Sequence, residues 1–341
     1  MRSELGEAPE VVRSMIATQW AVIDSVAEAI HSRDVNMVFI AARGTSDHAA
    51  IYAQYLFGVH NKLPVALAAP SIQSLYGVVP ELHNALVIGV SQSGQSPDVV
   101  GVVEEARRQN APTIAVTNDP GSPLGRAAEF RINIHAGVER AVAATKTYVA
   151  ELTALAMLST ALQGNDLARR QLAAVPDAIA EALGLEEAVE SAAREQAGIQ
   201  RAVVLGRGFN YSTALEWSLK LKETTYVLAD AYSTADFEHG PIAIIDPGFV
   251  VHAIVADGPT LPEMEAVLGR LREAGARLVI ASNSATALGY ADVPLRLPES
   301  PEWLSPLSAI IPGQLFAYHL ALAKHLDTDH PRNIQKVTRT T

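Results

Sequence analysis

The sequence predicts an α/β protein made of two tandem, doubly wound parallel sheets. Three observations carry that expectation. Short β-branched runs alternate with longer helical stretches, the pattern of sheets covered by helices. Landmarks recur at a fixed offset: Arg43-Gly44 and Arg207-Gly208 lie 164 residues apart, Asn118 and Asn283 lie 165 apart, and long helical stretches open after Ala144 and after Ser308. The 341-residue chain is 49% hydrophobic and 18% charged, enough for a large buried core.

Taken in order, residues 1–34 read as an N-terminal helical segment. Residues 35–170 form the first repeat, with strands expected at 37–42 (MVFIAA), 85–90 (ALVIGV), 113–117 (TIAVT) and 130–134 (FRINI). Each is short, apolar and closed by Gly, Ser, Asn or a similar breaker, as buried parallel strands are. Helical patterns fall at 46–57, 97–109 and 144–161. The Ala/Glu-rich stretch 171–200 reads as a helical connector. Residues 201–328 repeat the plan, with strands at 202–205, 249–255, 277–281 and 293–297 and helices at 212–226, 261–274 and 308–324. Residues 329–341 form a polar tail closed off from the last helix by Pro331.

Composition narrows the function. Twenty-six Lys+Arg against 37 Asp+Glu give a net charge of −11, which argues against nucleic acid or an anionic membrane as partner. The absence of cysteine excludes disulfides, Cys-ligated zinc and a Cys nucleophile. The N-terminus lacks a signal-peptide pattern, and apolar runs such as 314–321 fall short of a membrane span. A cytoplasmic protein without a membrane partner is expected. No HExxH or related spacing calls for a metal, and no Walker or dinucleotide fingerprint occurs, so no cofactor is implied.

Two hydroxyl-rich loops follow strands and precede helices: Gly44-Thr45-Ser46 and Ser91-Gln92-Ser93-Gly94-Gln95-Ser96. Helix N-termini offer free N–H groups and partial positive charge, so such loops can hold a phosphate without Lys or Arg. Plain N-capping is the alternative, and for Thr45 alone it is the simpler one. The second repeat carries Ala256-Asp257-Gly258-Pro259-Thr260 at the matching place, so one copy can hold a site that the other lost. On the helix after Arg207-Gly208, Glu216, Lys220 and Glu223 share a face, as either a solvated stripe or a general base beside an ammonium. His239, in a Gly-Pro turn, is either a proton-transfer group or a surface histidine. Lys336 is either a loose terminal lysine or one that docks and forms an imine with a sugar carbonyl.

Together, ARGTSDHAA (42–50), SQSGQSPD (91–98), VAATK (142–146), LGRGFNYSTALEWSLKLKE (205–223), EHGP (238–241) and PRNIQKVT (331–338) resemble the sugar-isomerase (SIS) family. The likeness is to the isomerase half of glutamine–fructose-6-phosphate aminotransferase and to stand-alone SIS-type glucosamine-6-phosphate deaminases. It implies two SIS domains, each a three-layer α/β/α unit, with a C-terminal tail and a homodimer. It implies that Gly44, Thr45, Ser46, Ser91, Gln92, Ser93, Gly94 and Ser96, with Val142 and Ala144, bind a phosphorylated (amino)sugar. It implies Glu223 as the base between carbons 1 and 2, and His239, reaching across from the neighbouring subunit, as the ring opener. Lys336 becomes the imine-forming lysine, and Glu216 and Lys220 become supporting catalytic positions. The chain departs from the synthase in having no room for a glutaminase domain, no Cys, and Ala144 where Ser is usual. Deamination of glucosamine 6-phosphate to fructose 6-phosphate is therefore the leading expectation. Its rivals are elimination from N-acetylglucosamine 6-phosphate by a dehydratase, a deglycase of sugar–amine conjugates, and a non-catalytic phosphosugar sensor.

Overall fold

The computed structural model describes residues 1–336; residues 337–341, part of the expected tail, lie outside the described residues. The chain folds as two compact units. One comprises Met1–Pro9, Arg140–Thr145 and Val175–Asn333; the other comprises Glu10–Glu139, Lys146–Ala174 and, of the described tail, residues 334–336.

The latter unit holds strands β1 (Met37–Ala41), β2 (Val65–Leu67), β3 (Ala85–Val90), β4 (Thr113–Thr117) and β5 (Phe130–Asn133). They pair in parallel in the order β2-β1-β3-β4-β5. The other unit holds β6 (Arg201–Gly206), β7 (Leu228–Ser233), β8 (Val250–Val255), β9 (Arg277–Ser282) and β10 (Val293–Arg296). They are again all parallel, in the order β10-β9-β8-β6-β7. Read from its other edge, the second sheet has the topology of the first, so the offset in the sequence marks a repeated fold. In each sheet the winding reverses between the first and third strands, β1/β3 and β6/β8. A crevice opens there beyond the carboxyl ends, where ligands of such sheets bind.

Helices α1 (Thr45–Leu56), α2 (Pro97–Arg108) and α3 (Lys146–Gln163) serve the first sheet, and α4 (Tyr211–Thr225), α5 (Leu261–Glu273) and α6 (Ser305–Ala323) the second. Val99, Val102, Val103 and Ala106 of α2 pack on Ala41, Val87 and Ala115. Strand alternation turns the buried Ile40, Ile88 and Val116 to the opposite face, where α1 and α3 contact the strands. Met264, Val267, Leu268 and Leu271 of α5 cover Val203, Val251 and Leu278 in the same way. The central strands β3 and β8 are buried at every position, which is why they read as continuous apolar runs.

The sequence reading needs four corrections. It omits β2 and β7, both edge strands. β2 has three half-buried residues, and β7 (LADAYS) mixes exposed Leu228 and Asp230 with buried Ala229 and Ser233, so neither carries a strand's apolar run. The helix expected from Ala144 starts at Lys146, leaving Val142 and Ala144 in the preceding loop. The helix expected from Ser308 starts at Ser305, with Pro306 in its first turn, and runs through Pro312. Finally, the stretch Glu302–Ala323 is long and apolar enough to cross a membrane by length and composition. However, 83% of its apolar window is buried inside the fold, as suits a core helix.

Candidate active site

The loops after β1 and β3 flank the first sheet's switch point. Gly44 caps α1 with φ 55° and ψ −129°, a conformation that excludes side chains, and a Cβ there would meet no atom within 4 Å. Thr45 is half-buried. Ser46 is buried and donates to the equally buried carboxylate of Glu151 at 2.9 Å, so its hydroxyl proton is committed inside the protein. In the second loop, Ser91 Oγ accepts from Gly94 N at 3.2 Å and Ser93 Oγ from Gln95 N at 3.3 Å, folding the loop back on itself. The Gln92 carbonyl accepts from Asn118 N and from the Thr117 hydroxyl. Gly94, at φ 60°, leaves no room for a Cβ, which would lie 2.1 Å from Ser122 Oγ. Ser96 caps α2 with Pro97 at the first helical position, and its half-buried side chain makes no capping bond. The two loops are tied together: Arg43 Nε donates to Asp98 Oδ2 at 2.7 Å, in the first turn of α2.

The same unit holds the tail lysine. Lys336 Nζ donates to Glu139 Oε2 at 2.8 Å. Glu139 has a fully buried side chain and is fixed by Thr147, whose hydroxyl donates to it at 2.9 Å and whose backbone N–H donates at 3.3 Å. Lys146, 1% exposed, donates to the Val138 carbonyl at 2.9 Å. Lys336 is therefore docked. Sequence reasoning misses Glu139: a lone carboxylate in a loop three residues before VAATK has no periodicity to mark it.

In the other unit, α4 follows β6 through the Gly208–Asn210 turn. A Cβ on Gly206 would come within 2.2 Å of the Asn210 carbonyl, so only glycine lets the helix start this close to the strand. Asn210 is pinned to Ser305 at 2.7 Å and holds Thr213 at 3.0 Å. This anchored helix buries Glu216 and Lys220 completely. Lys220 Nζ lies 3.2 Å from Glu216 Oε1 and 2.5 Å from Glu223 Oε2, and the Glu223 side chain is 22% exposed. The solvated-stripe reading of these residues is thus wrong: one buried ammonium is shared by two carboxylates. Burial works against the Lys220 charge, but Glu216 and then Glu223 outweigh it and hold its pKa above the ordinary lysine value. Lys220 is a fixed cation that orients Glu223 while leaving that carboxylate's edge open to solvent.

Val142 and Ala144, both half-buried, belong to the same unit as α4; the Val142 N–H donates to the Asp329 carbonyl at 3.4 Å. His239 is exposed at the end of the short helix Thr234–Glu238. Within single units, the structure joins the loop residues 44–46 and 91–96, joins Glu216, Lys220 and Glu223, and docks Lys336 on Glu139.

Comparison with known proteins agrees with this architecture. The sequence profile described as the SIS domain matches residues 33–161 and 197–324. The chain is 34% identical over 346 residues to the glutamine–fructose-6-phosphate aminotransferase [isomerizing] of Thermococcus kodakarensis, covering 98% of this chain and 57% of that protein. It therefore spans a little over half the length of that relative. Among solved structures, the C-terminal domain of glucosamine-fructose-6-phosphate aminotransferase from Francisella tularensis superposes with a TM-score of 0.89 at 28% identity, covering 96% of this chain and 97% of that one. A candidate phosphosugar isomerase from Silicibacter pomeroyi gives 0.87 at 32% identity, covering 96% and 99%.

Proposed function

The chain belongs to the SIS domain family, and on that premise we propose that it is a phosphosugar isomerase that deaminates an aminosugar phosphate. Glucosamine 6-phosphate and water give fructose 6-phosphate and ammonia. The observation that carries this reading is the buried Glu216–Lys220–Glu223 cluster, which leaves one oriented carboxylate partly open to solvent. The relatives support the isomerase class, and the deaminase step is our own narrower reading.

We assign the phosphate to the loops of the first repeat (35–170). Backbone N–H groups at the starts of α1 and α2, with the hydroxyls of Thr45, Ser93 and Ser96, supply its donors. Ser46 and Ser91 brace the loops from inside. Proton transfer belongs to the second repeat (201–328). His239 assists ring opening to the aldehyde, from an exposed position that fits delivery to a second copy in a homodimer. Glu223 removes the proton from carbon 2, giving an enolamine, and returns it to carbon 1. The product is a ketimine at carbon 2, which water hydrolyses with loss of ammonia. Lys220 stays charged throughout and holds Glu223 in place. Lys336, docked on Glu139, stabilises the open sugar as an ammonium. A cytoplasmic location suits this chemistry.

The test is incubation with glucosamine 6-phosphate in D2O, following fructose 6-phosphate, ammonia and deuterium at carbon 1. General acid–base catalysis is worth about 100- to 10,000-fold, so Glu223→Gln should lose that much turnover. Near-wild-type turnover in that variant removes Glu223 from the role. Loss of water from N-acetylglucosamine 6-phosphate, with no ammonia from the free amine, replaces the deaminase with a dehydratase.

A further inference from the structure

The helix that carries Glu216, Lys220 and Glu223 ends at Tyr226, whose backbone has φ 58° and ψ 20°, in the left-handed region. The turn is sharp because β7 begins only two residues later, at Leu228, with the buried Val227 between them. Glycine is the ordinary residue for such a turn, since a Cβ is penalised there. Among the described residues, six residues other than glycine have positive φ, and four of these are Asn or His, which tolerate it. Tyr226 and Lys62 are the other two. At Tyr226 a bulky ring stands where the backbone prefers glycine, so what that side chain touches matters.

It touches the start of the C-terminal tail. The Tyr226 hydroxyl accepts from the Arg332 backbone N–H at 3.0 Å. The Arg332 guanidinium carbon lies 3.9 Å from the centre of the Tyr226 ring, within the range of a cation–π contact. One residue thus grips the tail twice, once by its backbone and once by its side chain. Both partners belong to the same compact unit. From Arg332 to Gln335 the chain is exposed, so burial contributes little to holding it. Tyr226 stands three residues beyond Glu223, so the grip ties the tail to the helix that bears the oriented carboxylate.

We propose that Tyr226 anchors the C-terminal tail and is, through that anchor, a positioning residue for Lys336. The role of Lys336 rests on the functional reading given above; the anchor itself does not. Arg332 and Lys336 are four residues apart, a span of about 14 Å at most. An anchor at Arg332 therefore limits the volume that the Lys336 ammonium searches, which raises its effective concentration. The strained turn and the unexpected ring have one explanation: glycine would relax the backbone and release the tail.

The test is limited trypsin digestion of the whole chain, following the cut after Arg332 by mass, beside steady-state kinetics with glucosamine 6-phosphate. Tyr226→Phe removes the hydroxyl and keeps the ring; Tyr226→Gly removes both. Neither alters the sequence around the cut. One neutral hydrogen bond is worth about fivefold in the open population, so Tyr226→Phe should speed the cut by about that factor. Losing the stack as well is worth about two- to fivefold more, so Tyr226→Gly should speed it about 10- to 25-fold. The kcat/KM should fall in step, further in Tyr226→Gly than in Tyr226→Phe. Arg332→Ala should also lower kcat/KM, and adding it to Tyr226→Gly should lower it no further, because both changes release one grip. Unchanged cutting in both Tyr226 variants overturns the anchor. Faster cutting with wild-type kcat/KM, or losses that multiply in the double variant, overturns the positioning role. If Tyr226→Gly does not fold, Tyr226→Phe and its double variant with Arg332→Ala decide by the same readings. A wild-type chain that releases no ammonia sinks the functional reading, and faster cutting of the variants then still sustains the anchor.

Discussion

Replacing His252 by leucine should make the protein less sensitive to acid. His252 sits in β8 with no exposed surface, its ring 4.9 Å from that of Trp217 and 4.7 Å from that of Phe316. Neither ring nitrogen has a hydrogen-bond partner among the described residues. Burial pushes its pKa down to about 3, whereas an unfolded histidine titrates near 6.5. Between these values the unfolded chain carries a proton that the folded chain does not. Stability therefore falls as pH drops below about 6.5 and goes on falling to about 3. At pH 4.5, about two units into that window, the loss is about 2.7 kcal/mol; at pH 7.5 it is close to zero. Leucine, of similar volume, removes this term. It also removes two unpartnered polar atoms, which cost about 1–3 kcal/mol, and forfeits ring contacts worth about 0.5–1.5 kcal/mol. Both of those effects are independent of pH, so the informative quantity is a difference of differences. Urea unfolding at pH 7.5 and 4.5, followed by Trp fluorescence, should show the variant gaining about 2–3 kcal/mol on wild type at the lower pH. Equal gaps at the two pH values would mean that His252 is not held neutral in the core.

Three further perturbations test the site. Lys220→Met leaves Glu216 and Glu223 without their ammonium and should cost about 3–5 kcal/mol, with part regained in Lys220→Met/Glu216→Gln; a double variant no more stable than the single one would contradict the shared-cation geometry. Gly44→Ala forces a side chain into a backbone region reserved for glycine and should cost about 1–3 kcal/mol in thermal unfolding, although its Cβ would touch nothing; an unchanged midpoint would show the loop to be pliable. Glu139→Gln weakens the dock for Lys336, and tryptic cleavage at Lys336 should accelerate roughly tenfold, since a charge-assisted bond contributes about 1.5–3 kcal/mol; an unchanged rate would show that something else holds the tail.

Much of the fold was legible because it rests on periodicity. β3 and β8 are buried on both faces and so read as unbroken apolar runs, and the paired Arg-Gly landmarks at 43 and 207 anticipated two sheets of one topology. The edge strands β2 and β7 escaped notice because β2 has only three residues and β7 (LADAYS) carries no continuous apolar run. Of the site, the hydroxyl loops were visible from their place between strand and helix. The Glu216–Lys220–Glu223 spacing was visible too, but not its burial: i, i+4, i+7 charges look alike on a solvated face and a sealed one. Long-range partners left no local trace. Asp98 on Arg43, Glu151 on Ser46, Glu139 on Lys336 and Glu302 on Thr260 are single carboxylates 42 to 197 residues from their mates.

The helices α3 and α6, buried on nearly every side, bear on how the chain acquires its structure during synthesis. α6 is the sort of segment that an insertion machinery or a holding chaperone would seize if it emerged alone. Yet every helix it packs on extensively, at Val175–Leu183, Glu186–Glu195 and α4, precedes it in the chain. The main partners of α3, at Trp20–His31 and α1, likewise precede it. Each of these core helices thus leaves the ribosome after its cover has been made and can be sheathed as soon as it appears.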